Sequence, residues 1–164
     1  MTMITDGSKF LYHTNIETPP NLLETWDENL EEPWKDPKSG MESHCWNVLY
    51  SHKHEYFVQH IKNILNLSGR VSGRYYNLMP NHSLRWHTDR STTCSFNFLL
   101  EGNGPVQYKD ENENIHEFFY KQALLNTSVP HHVPASDNRR IIFKVSIFGV
   151  SYEEVLTAYK KEYE

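Results

Sequence analysis

The chain is short of cysteine, of long apolar runs and of positive charge, and each shortage removes a class of protein. Two cysteines in 164 residues cannot build a disulfide scaffold or a Cys-rich zinc site, so Cys45 and Cys94 are expected to be reduced and buried. No stretch approaches the roughly 18 apolar residues of a membrane span, and the first residues lack the basic and apolar regions of a secretion signal. The expectation is therefore a soluble, cytoplasmic protein without a membrane partner. Lys and Arg total 16 against 21 Asp and Glu, a net charge of −5, which argues against a general nucleic-acid binder. The deficit is local: residues 1–36 carry eight acids against Lys9 and Lys35, a net of −6, which leaves the remainder near +1.

What the chain does have is aromatic and histidine side chains. Ten Tyr, eight Phe and four Trp make 13 % of the sequence, too aromatic for a disordered chain and enough for large rings to fill much of a core. Ten histidines are abundant for this length, and imidazole is the commonest metal ligand. The length suits one domain, 1–164.

Within it, residues 1–53 read as an amino-terminal accessory layer, with short strands near 9–14 and 43–50, an acidic stretch after Pro19-Pro20 and a Pro/Gly-containing loop over 33–40. Phe57, Ile61, Ile64 and Leu65 recur at helical spacing before Gly69, predicting a helix over 54–68 on which His54 and His60 lie at the surface or edge. Beyond it the texture becomes short β-rich runs at 70–79, 83–88, 93–101, 105–109, 115–120, 122–126, 129–133 and 139–149. Eight such runs in about 80 residues predict a mainly β fold with flanking helices: a jelly roll, the double-stranded β-helix, over 70–149. Ser151 with Glu154 three residues on predicts a capped helix over 151–162.

The chemistry concentrates in Arg85-Trp86-His87-Thr88-Asp89. On a strand entering a turn, residues i and i+2 share a side, so His87 and Asp89 can converge. A second element follows 44 residues downstream, Val129-Pro130-His131-His132-Val133-Pro134, and then Arg139-Arg140-Ile141-Ile142-Phe143. Two histidines and one carboxylate form the facial triad of non-haem Fe(II) oxygenases and leave three positions open. An arginine on a neighbouring strand can hold the far carboxylate of a 2-oxo acid through a bidentate pair.

The stretch Tyr75 to Asp89, the Phe-rich strand 94–100 and the segment His131-His132-Val133 to Arg140-Ile141 together resemble the aspartyl/asparaginyl β-hydroxylase group of 2-oxoglutarate- and Fe(II)-dependent oxygenases, over about half the chain. The resemblance implies iron ligation by His87, Asp89 and a second histidine. His131 is favoured over His132 because Val133 stands two residues after it. It also implies a 2-oxoglutarate clamp, for which Arg140, followed by Ile-Ile-Phe, matches better than Arg139; adjacent strand residues face opposite ways, so only one can point inward. Two departures stand out. Some members of that group have Gly where this chain has Asp89, so the full triad leans toward the wider superfamily. Phe98 falls where the group often places a second co-substrate contact, and Tyr76 is the residue that could supply a hydroxyl instead.

The expected function is thus an Fe(II)/2-oxoglutarate-dependent dioxygenase hydroxylating a peptidyl Asp or Asn side chain, or a small molecule, with release of succinate. The rivals are a cupin-like enzyme running non-redox chemistry on the same residues and a catalytically silent β-sandwich that binds a partner through its acidic amino-terminal segment. Demethylation of nucleic-acid bases is weaker, since the Asn and second downstream Arg of that signature are missing after Arg140. Lys144 shares the face of Arg140 by period two, an awkward position for an ammonium unless it lines a pocket mouth or the strand bulges. Trp86, Phe96, Phe98, Phe143 and Phe148 are expected in the core, and 109–117 as a solvated hairpin tip.

Overall fold

The computed structural model describes residues 7–26, 32–35, 39, 41–49 and 51–164; of the acidic amino-terminal residues, Asp6, Asp27, Glu28, Glu31 and Asp36 lie outside that set. The described elements are a 3-10 turn at Gly7–Lys9, β1 (Leu11–His13), β2 (Glu32–Lys35), β3 (Glu42–Leu49), α1 (Glu55–Ile64), β4 (Val71–Leu78), β5 (Leu84–His87), β6 (Cys94–Glu101), β7 (Val106–Lys109), β8 (Ile115–Phe118), β9 (Gln122–Leu125), β10 (His131–Val133), β11 (Arg140–Ile147) and α2 (Tyr152–Tyr163). All eight strands expected beyond residue 69 are present.

The strands form two antiparallel sheets, ordered β1-β9-β6-β11-β4-β3-β2 and β5-β10-β7-β8. From β4 onward the chain crosses between them repeatedly: β4, β6, β9 and β11 join the larger sheet, while β5, β7, β8 and β10 form the smaller one. This is the double-stranded β-helix. The amino-terminal strands do not form a separate layer over it. They extend the larger sheet at both edges, β1 beside β9 and β3 then β2 beside β4. Pro33, placed in a loop by sequence, lies in edge strand β2, where its missing N–H costs no internal ladder bond.

The alternation of β11 sets up the two sides of the larger sheet. Phe143, Val145 and Ile147 join the main core with Phe57, Val58 and Ile61 of α1 and Val155 and Tyr159 of α2. Arg140, Ile142 and Lys144 face the other way, into the space between the sheets. Complete burial of a side chain such as Ile61 contributes roughly 1.5–3 kcal/mol. Gly73 permits the close approach of α1, since a Cβ there would stand 2.6 Å from Val58 Cγ2 and 2.7 Å from Phe143 Cζ. α2 begins as its sequence predicts: the Glu154 N–H donates to Ser151 Oγ at 3.2 Å, satisfying one of the otherwise unpaired donors of the first turn.

Four expectations need correction. Phe148 is only partly buried: it follows the last residue of β11 and turns away from the core side that Phe143, Val145 and Ile147 share, with the Arg70 guanidinium 4.0 Å from its ring centre. His54 is buried, 3 % exposed, and precedes α1 with its Nε2 2.6 Å from Thr25 Oγ1. Being the residue before the first turn, it escapes the helical periodicity that placed it at the surface. Trp86 is not core; it is half-buried on the outer face of the smaller sheet, stacked on His132 with centroids 5.1 Å apart. Cys45 is only partly buried, unlike Cys94, and both are free thiols. The 110–114 segment does turn between β7 and β8, but Asp110 is engaged there. His116 lies 2.9 Å from its carboxylate and, with the Asn112 and Asn114 N–H groups, holds the carboxyl down to about 2. Among the described residues no helix is long and apolar enough to cross a membrane.

Candidate metal centre

β5 and β10 pair so that His87 and His131 stand directly opposite one another, with ring centroids 4.2 Å apart. Asp89 follows β5 by two residues, and its backbone N–H donates to the Thr127 carbonyl at 3.0 Å, which fixes the turn that brings the carboxylate back toward the strand end. Its Oδ1 lies 3.5 Å from His87 Nε2 and 3.6 Å from His131 Nε2. The three prospective ligand atoms all fall within 4.8 Å of one another. The two segments of the motif therefore meet in space at His87, Asp89 and His131. His132 points to the opposite face, as strand alternation requires.

The imidazoles are oriented by their other nitrogens. His87 Nδ1–H donates to the Arg85 carbonyl at 2.6 Å, and His131 Nδ1–H to the Val129 carbonyl at 2.8 Å. A carbonyl only accepts, so in each neutral ring the lone pair is on Nε2, directed toward Asp89. Backbone hydrogen bonds of this kind fix the tautomer that a metal ligand needs. Two imidazole nitrogens and one carboxylate oxygen on one side of an open space fit a divalent iron that keeps vacant positions.

The second oxygen of Asp89 is occupied by the protein. Lys144 Nζ donates to Oδ2 at 2.8 Å and Thr92 Oγ1 donates to it at 3.1 Å. Burial alone would raise the Asp89 carboxyl. Charge and hydrogen bonding at its oxygens, the Lys144 ammonium foremost, more than reverse that and hold it well below the ordinary carboxylate range. Burial likewise opposes the charge on Lys144, and the facing carboxylate outweighs it, so the amine sits above its usual value. Lys144 thus resolves its awkward position: it projects between the sheets and is paired there. A register irregularity between Ile141 and Ile142 does occur on the β6 side of β11.

An open cavity lies between the sheets and is bordered by the two histidines, Lys144, Tyr76, Asn97 and Arg140. Arg140 is 6 % exposed, donates from Nη1 to the Pro105 carbonyl at 3.2 Å and lies 5.3 Å from the centre of the Tyr120 ring. Among the described residues no carboxylate pairs with it. A buried guanidinium with spare donors facing a cavity is suited to an anionic ligand group, and a planar carboxylate matches its fork. Arg139 instead pairs with Glu101 outside the cavity. Tyr76 borders the cavity with its ring stacked on Trp46, centroids 4.6 Å apart.

Phe98 belongs to the helix-side core and is remote from the question of co-substrate contact. Its neighbour Asn97 is, with Ser95, a polar residue that β6 places at the cavity, accepting from Ser95 Oγ at 2.7 Å and donating to the Tyr120 hydroxyl at 3.1 Å. Sequence reasoning missed Asn97 and Thr92. The alternation that turns Phe96 and Phe98 into the core was the available signal for Asn97.

No family model matches the chain, and no curated protein matches its sequence. Solved structures do match. A prolyl-4-hydroxylase from Pseudomonas putida superposes with a TM-score of 0.57 at 15 % identity, covering 74 % of this chain and 79 % of its own. A prolyl hydroxylase from Trichoplax adhaerens, solved in complex with a peptide fragment of the hypoxia inducible factor oxygen degradation domain, gives 0.60 at 9 % identity, with 84 % and 76 % covered. At these identities the likeness is one of fold, and it does not reach the aspartyl/asparaginyl hydroxylase group. The double-stranded β-helix expected from eight short strands is the architecture this chain shares with those hydroxylases.

Proposed function

We propose that the protein is an Fe(II)- and 2-oxoglutarate-dependent dioxygenase that hydroxylates a side chain of a peptide, with a peptidyl Asp or Asn as the first substrate to try and a small molecule as the alternative. One observation carries the reading: the His87, Asp89 and His131 ligand atoms converge at a cavity whose wall also holds the buried guanidinium of Arg140, which no carboxylate pairs among the described residues. The fold shared with two prolyl hydroxylases supports it, and the peptide bound to the Trichoplax enzyme is the reason to prefer a peptide substrate.

In this reading His87 Nε2, His131 Nε2 and Asp89 Oδ1 hold the iron. Arg140 takes the distal carboxylate of 2-oxoglutarate, and Tyr76 borders the co-substrate. Iron bound there supplies the redox chemistry by which O₂ and 2-oxoglutarate become CO₂ and succinate while one oxygen atom enters a substrate C–H bond. The chain's own contribution is placement. The two backbone carbonyls keep the imidazoles in the ligating tautomer, Arg140 fixes the orientation of the 2-oxo acid, and the apolar walls of Leu78, Val106 and Ile142 limit water in the cavity.

The test is turnover of 2-oxoglutarate by the purified chain with Fe(II), ascorbate and air, followed as succinate. Slow uncoupled formation that disappears in His87→Ala is the expected result. Metal binding without any 2-oxoglutarate consumption would favour the cupin-like chemistry, and absence of both would favour a binding module.

A further inference from the structure

Lys144 is the charged side chain on the cavity wall to which iron and 2-oxoglutarate binding give no task. It lies in β11 on the same face as Arg140 and Ile142. Its Nζ is 2.8 Å from Asp89 Oδ2, and Thr92 Oγ1 is 3.1 Å from the same atom. Asp89 Oδ1, by contrast, faces the two Nε2 atoms at 3.5 and 3.6 Å. The carboxylate is divided, with one oxygen given to the prospective metal and the other held by the protein.

We infer that Lys144 is a positioning residue that, with Thr92, restricts Asp89 to ligation through one oxygen and thereby preserves a coordination position; this rests on the iron and 2-oxoglutarate reading above. A carboxylate can bind a cation through one oxygen or both. Two histidines and a one-oxygen Asp89 leave three positions on a six-coordinate ion, enough for a chelating 2-oxo acid and O₂. A two-oxygen Asp89 would leave two, which the 2-oxo acid fills by itself. An ammonium and a hydroxyl bound to Oδ2 oppose that rotation, and the Asp89 N–H bond to the Thr127 carbonyl anchors the backbone from which it would start. The same pair neutralises the Asp89 charge before metal arrives, so the ligand geometry is set in the metal-free protein.

The experiment counts exchangeable waters on Mn(II) bound to the purified protein, by water-proton relaxation or by ¹⁷O-water line broadening. It uses the native chain, Lys144→Met, Lys144→Gln and Lys144→Arg, with thermal stability measured for each. The native chain and Lys144→Arg, which keeps charge and donors, are expected to hold about three waters, and Lys144→Met about two. Lys144→Gln is shorter and neutral; it is also expected to hold about two and serves if the methionine variant does not fold. Mn(II) affinity should stay within about ten-fold across the set. Three waters in either neutral variant overturns the inference while leaving the iron reading intact. Failure of both neutral variants to fold, beside a folded Lys144→Arg, makes the pair a structural brace and overturns it too. A native chain that binds no Mn(II) overturns both the iron reading and this inference.

Discussion

The two faces of the β5-β10 strand pair carry nearly the same residues to opposite ends. Inside, His87 and His131 stand across from each other, each tied at Nδ1 to a backbone carbonyl, with Asp89 between their Nε2 atoms. Outside, one residue away on each strand, Trp86 stacks on His132 at 5.1 Å, and Lys109 Nζ lies 4.4 Å from the Trp86 ring centre. β11 repeats the pattern at its start: Arg140 faces the cavity while Arg139 pairs with Glu101. A histidine or arginine in this chain becomes a candidate ligand or clamp through the parity of its position; composition by itself does not decide it. The outer set packs and solubilises, whereas the inner set is held in the arrangement a metal and an anion require.

The sharpest way to break that contrast is to mutate the adjacent histidines. His131→Ala is expected to weaken Mn(II) or Fe(II) binding by more than about 100-fold, and His132→Ala by no more than about two-fold, measured by calorimetric titration. Equal losses would mean that both rings or neither reach the metal. Next is the arginine pair. Arg140→Ala should weaken 2-oxoglutarate binding to the metal-loaded protein by about 2–5 kcal/mol, the usual effect of removing one partner from a buried charge pair, while Arg139→Ala leaves it nearly unchanged. The reverse ranking would show that β11 enters the sheet in the other register. The smallest effect belongs to the outer face: Trp86→Ala should lower unfolding stability by about 1–2 kcal/mol through loss of its ring and cation contacts, with metal affinity unaltered. A loss of metal binding in Trp86→Ala would dissolve the distinction between the faces.

Much of this arrangement was legible from sequence, for reasons that can be named. The eight strands of the double-stranded β-helix announce themselves because aromatic and β-branched runs alternate with Pro, Gly and Asn clusters, a signal local to each strand. The pairing of His87 with His131 was accessible only through the spacing of two motifs, since nothing local says that β5 and β10 lie side by side. At Trp86 parity outweighs hydrophobicity: the same alternation that turns His87 inward turns its neighbour outward, onto His132. His54 was misplaced because a residue just before a helix packs by the path of the incoming chain, here past Thr25, and not by helical period. The Asp89–Lys144 pair was beyond reach: it joins residues 55 apart and depends on the turn after β5 reaching across to β11. Lys144 takes the ion pair with Asp89, and Arg140 is left facing the cavity.

The central claim is that His87, Asp89 and His131 hold an iron to which 2-oxoglutarate chelates, and it is tested most directly by adding Fe(II) and 2-oxoglutarate to the purified protein without oxygen. The expected result is a visible metal-to-ligand charge-transfer band that requires both additions and is lost in His87→Ala. No band in the native chain, or an equal band in His87→Ala, would contradict it.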